Sequence, residues 1–162
     1  MVPRQRDFRL CLFLLLGLLG MVISFHGAPS NYTPAQWFEF QHINMSSNRC
    51  TIAMQAINFY YLPAKGNCKP KNTFLHTTLA AVAHVCTTQN VTCPTTHATN
   101  CHNSSIPVAV TNCDITRYSP SYMNCSYHPS SAQKIYIVAC DCRTNKDNPR
   151  YTQVPVHLDW LI

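Results

Sequence analysis

Cys68-Lys69-Pro70-Lys71-Asn72-Thr73-Phe74, reading CKPKNTF, sets a cysteine, a cation, a rigid proline, an amide and a hydroxyl in immediate succession. Proline fixes φ and removes a backbone donor, so it opens strands far more readily than it continues them. The reading is therefore a strand entered just after Pro70. In an extended chain Lys69, Lys71 and Thr73 share one face, with Asn72 and Phe74 on the other. An ammonium and a hydroxyl then project together, anchored by the cysteine and by a buried phenyl ring. An ordinary edge strand with solvated lysines would carry the same letters, so the stretch needs its context.

Upstream the pattern is helical. Thr33-Pro34-Ala35 offers a capping hydroxyl followed by proline in the first turn. Trp37, Phe38 and Gln41 follow at helical spacing, with His42 four residues after Phe38. The aromatic residues are expected in the core, where they would hold this helix rigidly and aim His42. Residues 51–60, TIAMQAINFY, read as a second helix with an ambiguous buried face. Pro63, Gly66 and Asn67 are expected to break the chain before CKPKNTF. Residues 76–87 read as a third helix, with Leu79, Val82 and Cys86 on one face.

From residue 90 the chain changes to short β-type runs separated by turns. Val108 to Thr111, Met123 to Tyr127, Lys134 to Asp141 and Val154 to Leu158 are the strand candidates. Helices early and strands late give an α+β domain with an antiparallel sheet.

The ends and the cysteines fix the compartment. Arg4, Arg6 and Arg9, the apolar run Leu10 to Ile23 and the small residues near Gly27 describe a secretory leader over residues 1–27, cleaved near Gly27. The run is shorter than the roughly 20 residues that span a membrane. Residues 28–162 then form one domain. Removing Arg4, Arg6, Arg9 and Asp7 lowers the net charge from +6 to +4, which favours polyanions without demanding them. No block of consecutive lysines or arginines suggests a polybasic arm.

Of ten cysteines Cys11 departs with the leader, and nine remain, a disulfide framework in a secreted chain. No C-x-x-C pair supports a zinc site. The residues alone leave the connectivity open. Five N-x-S/T sequons, at Asn31, Asn44, Asn90, Asn103 and Asn124, fit the same route and mark glycosylation candidates.

Two histidines at opposite ends give CKPKNTF its meaning: His42 in WFEFQHIN, after Gln41, and His157 in VPVHLD near the C-terminus. Together the three motifs resemble the pancreatic-type ribonuclease (ribonuclease A) family across nearly all of residues 34–162. QWFEFQHINM, NTFLHTT and YIVACD are most similar to its eosinophil branch, that of eosinophil-derived neurotoxin and eosinophil cationic protein. The resemblance implies three helices packed on a curved antiparallel sheet in a ribonuclease A-like fold. It also implies the bridges Cys50–Cys113, Cys68–Cys125, Cys86–Cys140 and Cys93–Cys101, with Cys142 left over.

RNA cleavage needs one proton taken from a 2′-hydroxyl and another given to the leaving 5′-oxygen. Imidazoles suit both tasks because they titrate near neutrality. A fixed cation stabilises the charge that grows on the phosphoryl oxygens. The resemblance implies His42 as base, His157 as acid and Lys69 as the stabilising cation. It implies a phosphate contact from Gln41 and pyrimidine selection by Thr73 against an apolar wall at Leu158. Lys71, Asn72, Asn100 and Asp159 are further substrate-side candidates, with Asp159 placed to orient the His157 ring and Asp141 a weaker contact. His76, His84, His97, His102 and His128 match no catalytic motif. Where pancreatic members carry basic residues near the first helix, Trp37 and Phe40 stand here, which puts a further phosphate subsite in doubt.

The expected partner is single-stranded RNA, with the cytosolic ribonuclease inhibitor and anionic membranes or glycans as further candidates. The protein is expected to be monomeric, to use no cofactor and no metal, and to be stored in granules before release. The alternative is a cationic defence protein acting mainly on membranes. Only four arginines (Arg49, Arg117, Arg143, Arg150) remain after leader removal to support it.

Overall fold

The computed structural model describes Cys11 and residues 27–162; the rest of the expected leader lies outside the described residues. Helix α1 spans Pro34–His42. Its N-terminus is a capping box, in which Gln36 N–H donates to Thr33 Oγ1 and Thr33 N–H donates to Gln36 Oε1. The Thr33 hydroxyl also donates to Asp147, whose other oxygen accepts from Thr144 N–H at 2.7 Å. The start of α1 is thereby tied to the loop around residue 147.

Helix α2, Cys50–Lys65, runs longer than expected and passes through Pro63. The proline costs one hydrogen bond in the last turn but does not stop the helix. Termination falls to Gly66, whose left-handed φ of 82° and N–H bond to Leu62 O close the end. Helix α3 covers Leu79–Val85, capped by Thr78. It starts later than expected because after β1 (Lys71–Leu75) His76 N–H still bonds across to Ala109 O and Thr78 is extended as the N-cap.

The strands are β1, β2 (Cys101–Asn103), β3 (Val108–Arg117), β4 (Ser126–Lys134), β5 (Tyr136–Cys142) and β6 (Gln153–Leu161). They form two antiparallel three-stranded sheets, ordered β1-β3-β4 and β2-β5-β6, rather than one. The α+β class expected from the pattern holds. β1 enters its sheet directly after Pro70, with Lys71 opposite Asp114 and Thr73 opposite Asn112. Lys69 lies before the strand, so it does not share a strand face with Lys71 and Thr73. Its side chain turns to Asn72 instead.

One core cluster joins Phe38, Leu75, Val82, Val110, Tyr136 and Val138, with Leu158 packed against it. A second joins Met54, Ile57, Phe74 and Tyr127. Disulfides run through both: Cys86–Cys140 in the first, Cys50–Cys113 and Cys68–Cys125 in the second. Cys93–Cys101 closes a short loop beside β2. Each such link adds about 2–4 kcal/mol, largely by restricting the unfolded chain. Cys142 is paired while Cys11 is present. It bonds Cys11, with Cα atoms 5.6 Å apart, within bridging range. Among the described residues no helix is long and apolar enough to cross a membrane.

Candidate active site

Helix α1, strand β1 and strand β6 converge on one cleft of about 800 Å³. Its lining includes Gln41, His42, Lys69, Lys71, Asn72, Thr73, His157, Leu158 and Asp159.

His42 ends α1. Its ring packs on Phe38, itself fully buried, with centroids 5.2 Å apart. His42 Nδ1 lies 2.8 Å from Thr73 O. A carbonyl can only accept, so Nδ1 carries the proton and Nε2 keeps a basic lone pair. Burial and then the neighbouring Lys69 charge pull the His42 pKa down to about 3, partly opposed by the bond to Thr73. The ring is neutral at physiological pH.

Lys69 Nζ donates to Gln41 Oε1 at 2.6 Å and to Asn72 Oδ1 at 2.8 Å. Burial lowers its pKa to about 8, so it remains mostly an ammonium near neutrality. Its main chain is clamped by a buried ring of bonds. Lys69 N–H donates to Asn58 Oδ1, Asn58 Nδ2 donates to the Tyr127 hydroxyl, and that hydroxyl donates to Lys69 O at 2.6 Å. Burial raises the Tyr127 pKa, so the hydroxyl keeps the proton it donates.

Asn72 is buried rather than offered to a ligand: its Nδ2 donates to Gln41 O at 2.8 Å while its oxygen takes the Lys69 ammonium. It braces Gln41 and Lys69 from β1. The Gln41 oxygen is occupied by Lys69, which leaves Nε2 as the donor end a phosphate oxygen requires.

His157 sits on β6 opposite Ala139. Its Nε2 is 3.2 Å from Asp159 Oδ1, and the Asp159 carboxylate is wholly buried. The other carboxylate oxygen accepts from Thr95 N–H at 2.8 Å, and Asp159 O accepts from the Thr95 hydroxyl. Asp159 therefore faces the histidine ring, with Thr95 holding it in place.

The Thr73 hydroxyl donates to Asn112 Oδ1 at 2.7 Å, across the β1–β3 pairing. Leu158 supplies an apolar wall nearby. Lys71 also lines the cleft, but its side chain is 63% exposed and 3.7 Å from exposed Asp114, a solvent-screened pair. Asn100 is elsewhere: its Nδ2 donates to Cys140 O and to Asp141 Oδ1 on β5, and neither Asn100 nor Asp141 lines the cleft. Trp37 and Phe40 stack at 5.3 Å within an aromatic cluster that includes Tyr32 and Tyr60.

Among the described residues the one grouping with metal-site spacing is Cys93, Cys101 and Asp159. Its two sulfurs are joined to each other, so no thiolate is available.

The pancreatic ribonuclease family model matches residues 33–159. The chain belongs to the pancreatic ribonuclease family. The match covers both histidine motifs and CKPKNTF, and the three helices, two antiparallel sheets and disulfides fit a ribonuclease A-like α+β fold. This member is thus a ribonuclease, with RNA as its partner. Reasoning from the sequence missed Asn58, Tyr127 and Thr95, which hold Lys69 and Asp159. Only Asn58 left a trace: a polar residue on the α2 face that also carries Met54 and Ile57. Of the other histidines, His102 is buried against Thr88 O, and His76 Nε2 lies 2.7 Å from the Thr111 hydroxyl.

Proposed function

We propose that the protein is a secreted endoribonuclease that cuts single-stranded RNA after pyrimidines, first to a 2′,3′-cyclic phosphate that water then opens. The observation carrying this reading is the opposite wiring of two histidines in one cleft. His42 has its proton committed to Thr73 O and a lone pair left over, while His157 turns its Nε2 to the buried Asp159 carboxylate and leaves Nδ1 for the substrate side.

His42 Nε2 takes the proton of the 2′-hydroxyl as its oxygen attacks phosphorus, and His157 protonates the departing 5′-oxygen. The Lys69 ammonium opposes the charge gathering on the phosphoryl oxygens, and Gln41 Nε2 donates to one of them. A bound phosphodiester offsets the Lys69 field at His42 and raises its pKa from about 3 toward the working range. In the second step the histidines exchange roles, and no metal takes part.

Pyrimidine choice rests on Thr73. With its O–H turned to Asn112, the hydroxyl oxygen accepts from a pyrimidine edge. Leu158 gives the base an apolar wall in the same cleft.

The motifs QWFEFQHINM, NTFLHTT and YIVACD support the eosinophil branch, with a role in host defence, storage in granules, a monomeric state and sensitivity to the cytosolic ribonuclease inhibitor. Cleavage of the leader near Gly27 removes Cys11 and leaves Cys142 as a thiol. Asn31, Asn44, Asn90 and Asn124 are exposed sequons open to glycosylation, and Asn103 is half-buried.

The test is digestion of a defined oligoribonucleotide in EDTA, with mass analysis of the new ends. Cyclic phosphates after U or C are expected. Cleavage after purines, or none without added metal, overturns the reading.

A further inference from the structure

The cleft continues past the catalytic residues along β6, and the residue it reaches is Trp160. This indole is 53% exposed and lines the same cleft as His157 and Leu158. The second tryptophan, Trp37, is only 5% exposed and spent in the aromatic cluster.

A half-exposed indole on a strand costs solvation that a charged or small side chain would not. The backbone nevertheless directs it into the cleft. Leu158 pairs with Val138 and Trp160 with Ile137, so Asp159 is an extra residue in a β-bulge. Strict alternation would set His157 and Trp160 on opposite faces; the bulge lets both open onto one groove.

Order along the strand gives direction. His157 serves the leaving 5′-oxygen, and Leu158 walls the pyrimidine whose 2′-oxygen attacks. Trp160 comes next, across the bulge from Leu158. Among residues lining the cleft the cations are Lys65, Lys69 and Lys71, and none follows His157 on β6. What the strand offers there is an aromatic face.

Resting on the nuclease reading, we infer that Trp160 is a stacking platform for the base immediately 5′ of the selected pyrimidine. It makes RNA of three or more nucleotides a better substrate than a dinucleotide. Aromatic stacking accepts any base, because every base has a π-face. The subsite therefore lengthens the recognised RNA without adding sequence preference, favouring purines only through their larger area.

The test compares kcat/KM for ApUpA with kcat/KM for UpA, in the wild-type protein and in Trp160→Ala and Trp160→Phe. The wild-type ratio should be on the order of 10. It should fall toward unity in W160A and be largely kept in W160F. Replacing the first adenine of ApUpA by an abasic residue should lower the wild-type ratio by the same factor and leave W160A untouched. Quenching of tryptophan emission by the uncleavable 2′-deoxy trinucleotide should fall sharply in W160F, because Trp37, which also lines the cleft, is only 5% exposed. A ratio unchanged by W160A, in a variant with wild-type melting, overturns the stacking platform. Failure of the wild-type protein to cleave UpA at all overturns the nuclease reading on which it rests.

Discussion

Replacing Tyr127 by Phe removes one oxygen atom that lies outside the cleft, yet the structure makes it part of the site. That oxygen accepts from Asn58 Nδ2 at 2.9 Å and donates to Lys69 O at 2.6 Å. Asn58 is fully buried, so its amide has no water to turn to. Leaving two buried groups short of a partner costs about 1–3 kcal/mol each, less what is recovered by no longer burying the hydroxyl. A total near 2–4 kcal/mol is expected. In a domain of this size that corresponds to a fall in Tm of roughly 10 °C. The catalytic effect follows from geometry: Lys69 loses the carbonyl anchor that fixes its main chain, and displacement by about 1 Å can cost on the order of 100-fold. The loss should fall on kcat more than KM, because in the proposed mechanism the ammonium acts chiefly on charge that develops in the transition state. Urea unfolding and steady-state cleavage of UpA measure the two effects. Tyr118→Phe, at an exposed position, is the control. If Y127F matched the wild type within ~0.5 kcal/mol and kept its kcat, the clamp on Lys69 would be irrelevant and the reasoning wrong.

Other outcomes follow from the same geometry. His42→Ala and His157→Ala should each lower kcat/KM by about 10²–10⁴-fold while the proteins still fold, as circular dichroism can check. In the proposed mechanism Lys69 acts as an ammonium, and burial lowers its pKa to about 8, so kcat/KM should decline as pH rises through 8. Lys69→Arg should be less active throughout, but its guanidinium stays charged, so this alkaline decline should move upward or vanish in a pH profile. His42 is held below its ordinary value, so the unfolded chain binds more protons between about pH 3 and 6.5. Stability should therefore drop as pH falls through that window, and less in His42→Phe, as chemical denaturation at stepped pH will report. Cys86→Ala with Cys140→Ala should cost about 2–5 kcal/mol, seen as a lowered urea midpoint.

What the sequence revealed was mostly local. A threonine before a proline marked the start of α1, a proline marked the entry to β1, and both signals act within a few residues. The two histidine motifs and CKPKNTF were legible because their residue types match a known chemistry. The supports were not, since each depends on partners far along the chain. Asn58 meets Tyr127 across 69 positions, and Thr95 meets Asp159 across 64. Lys69 was assigned to a strand face, but its ammonium is drawn out of that pattern by two amide oxygens. Pro63 was read as a stop because propensity weighs single residues. Leu62 packs against the second core cluster and its carbonyl takes the Gly66 N–H, so α2 continues past the proline to Gly66. The split into two sheets depends on which strands pair, and alternation along one strand says nothing about its neighbours.

Strand β6 adds itself to β5 and brings His157 to the helix that bears His42. The two rings of the proposed pair therefore share a cleft only once β6 has docked on β5, so the site exists in the folded protein and in neither segment alone.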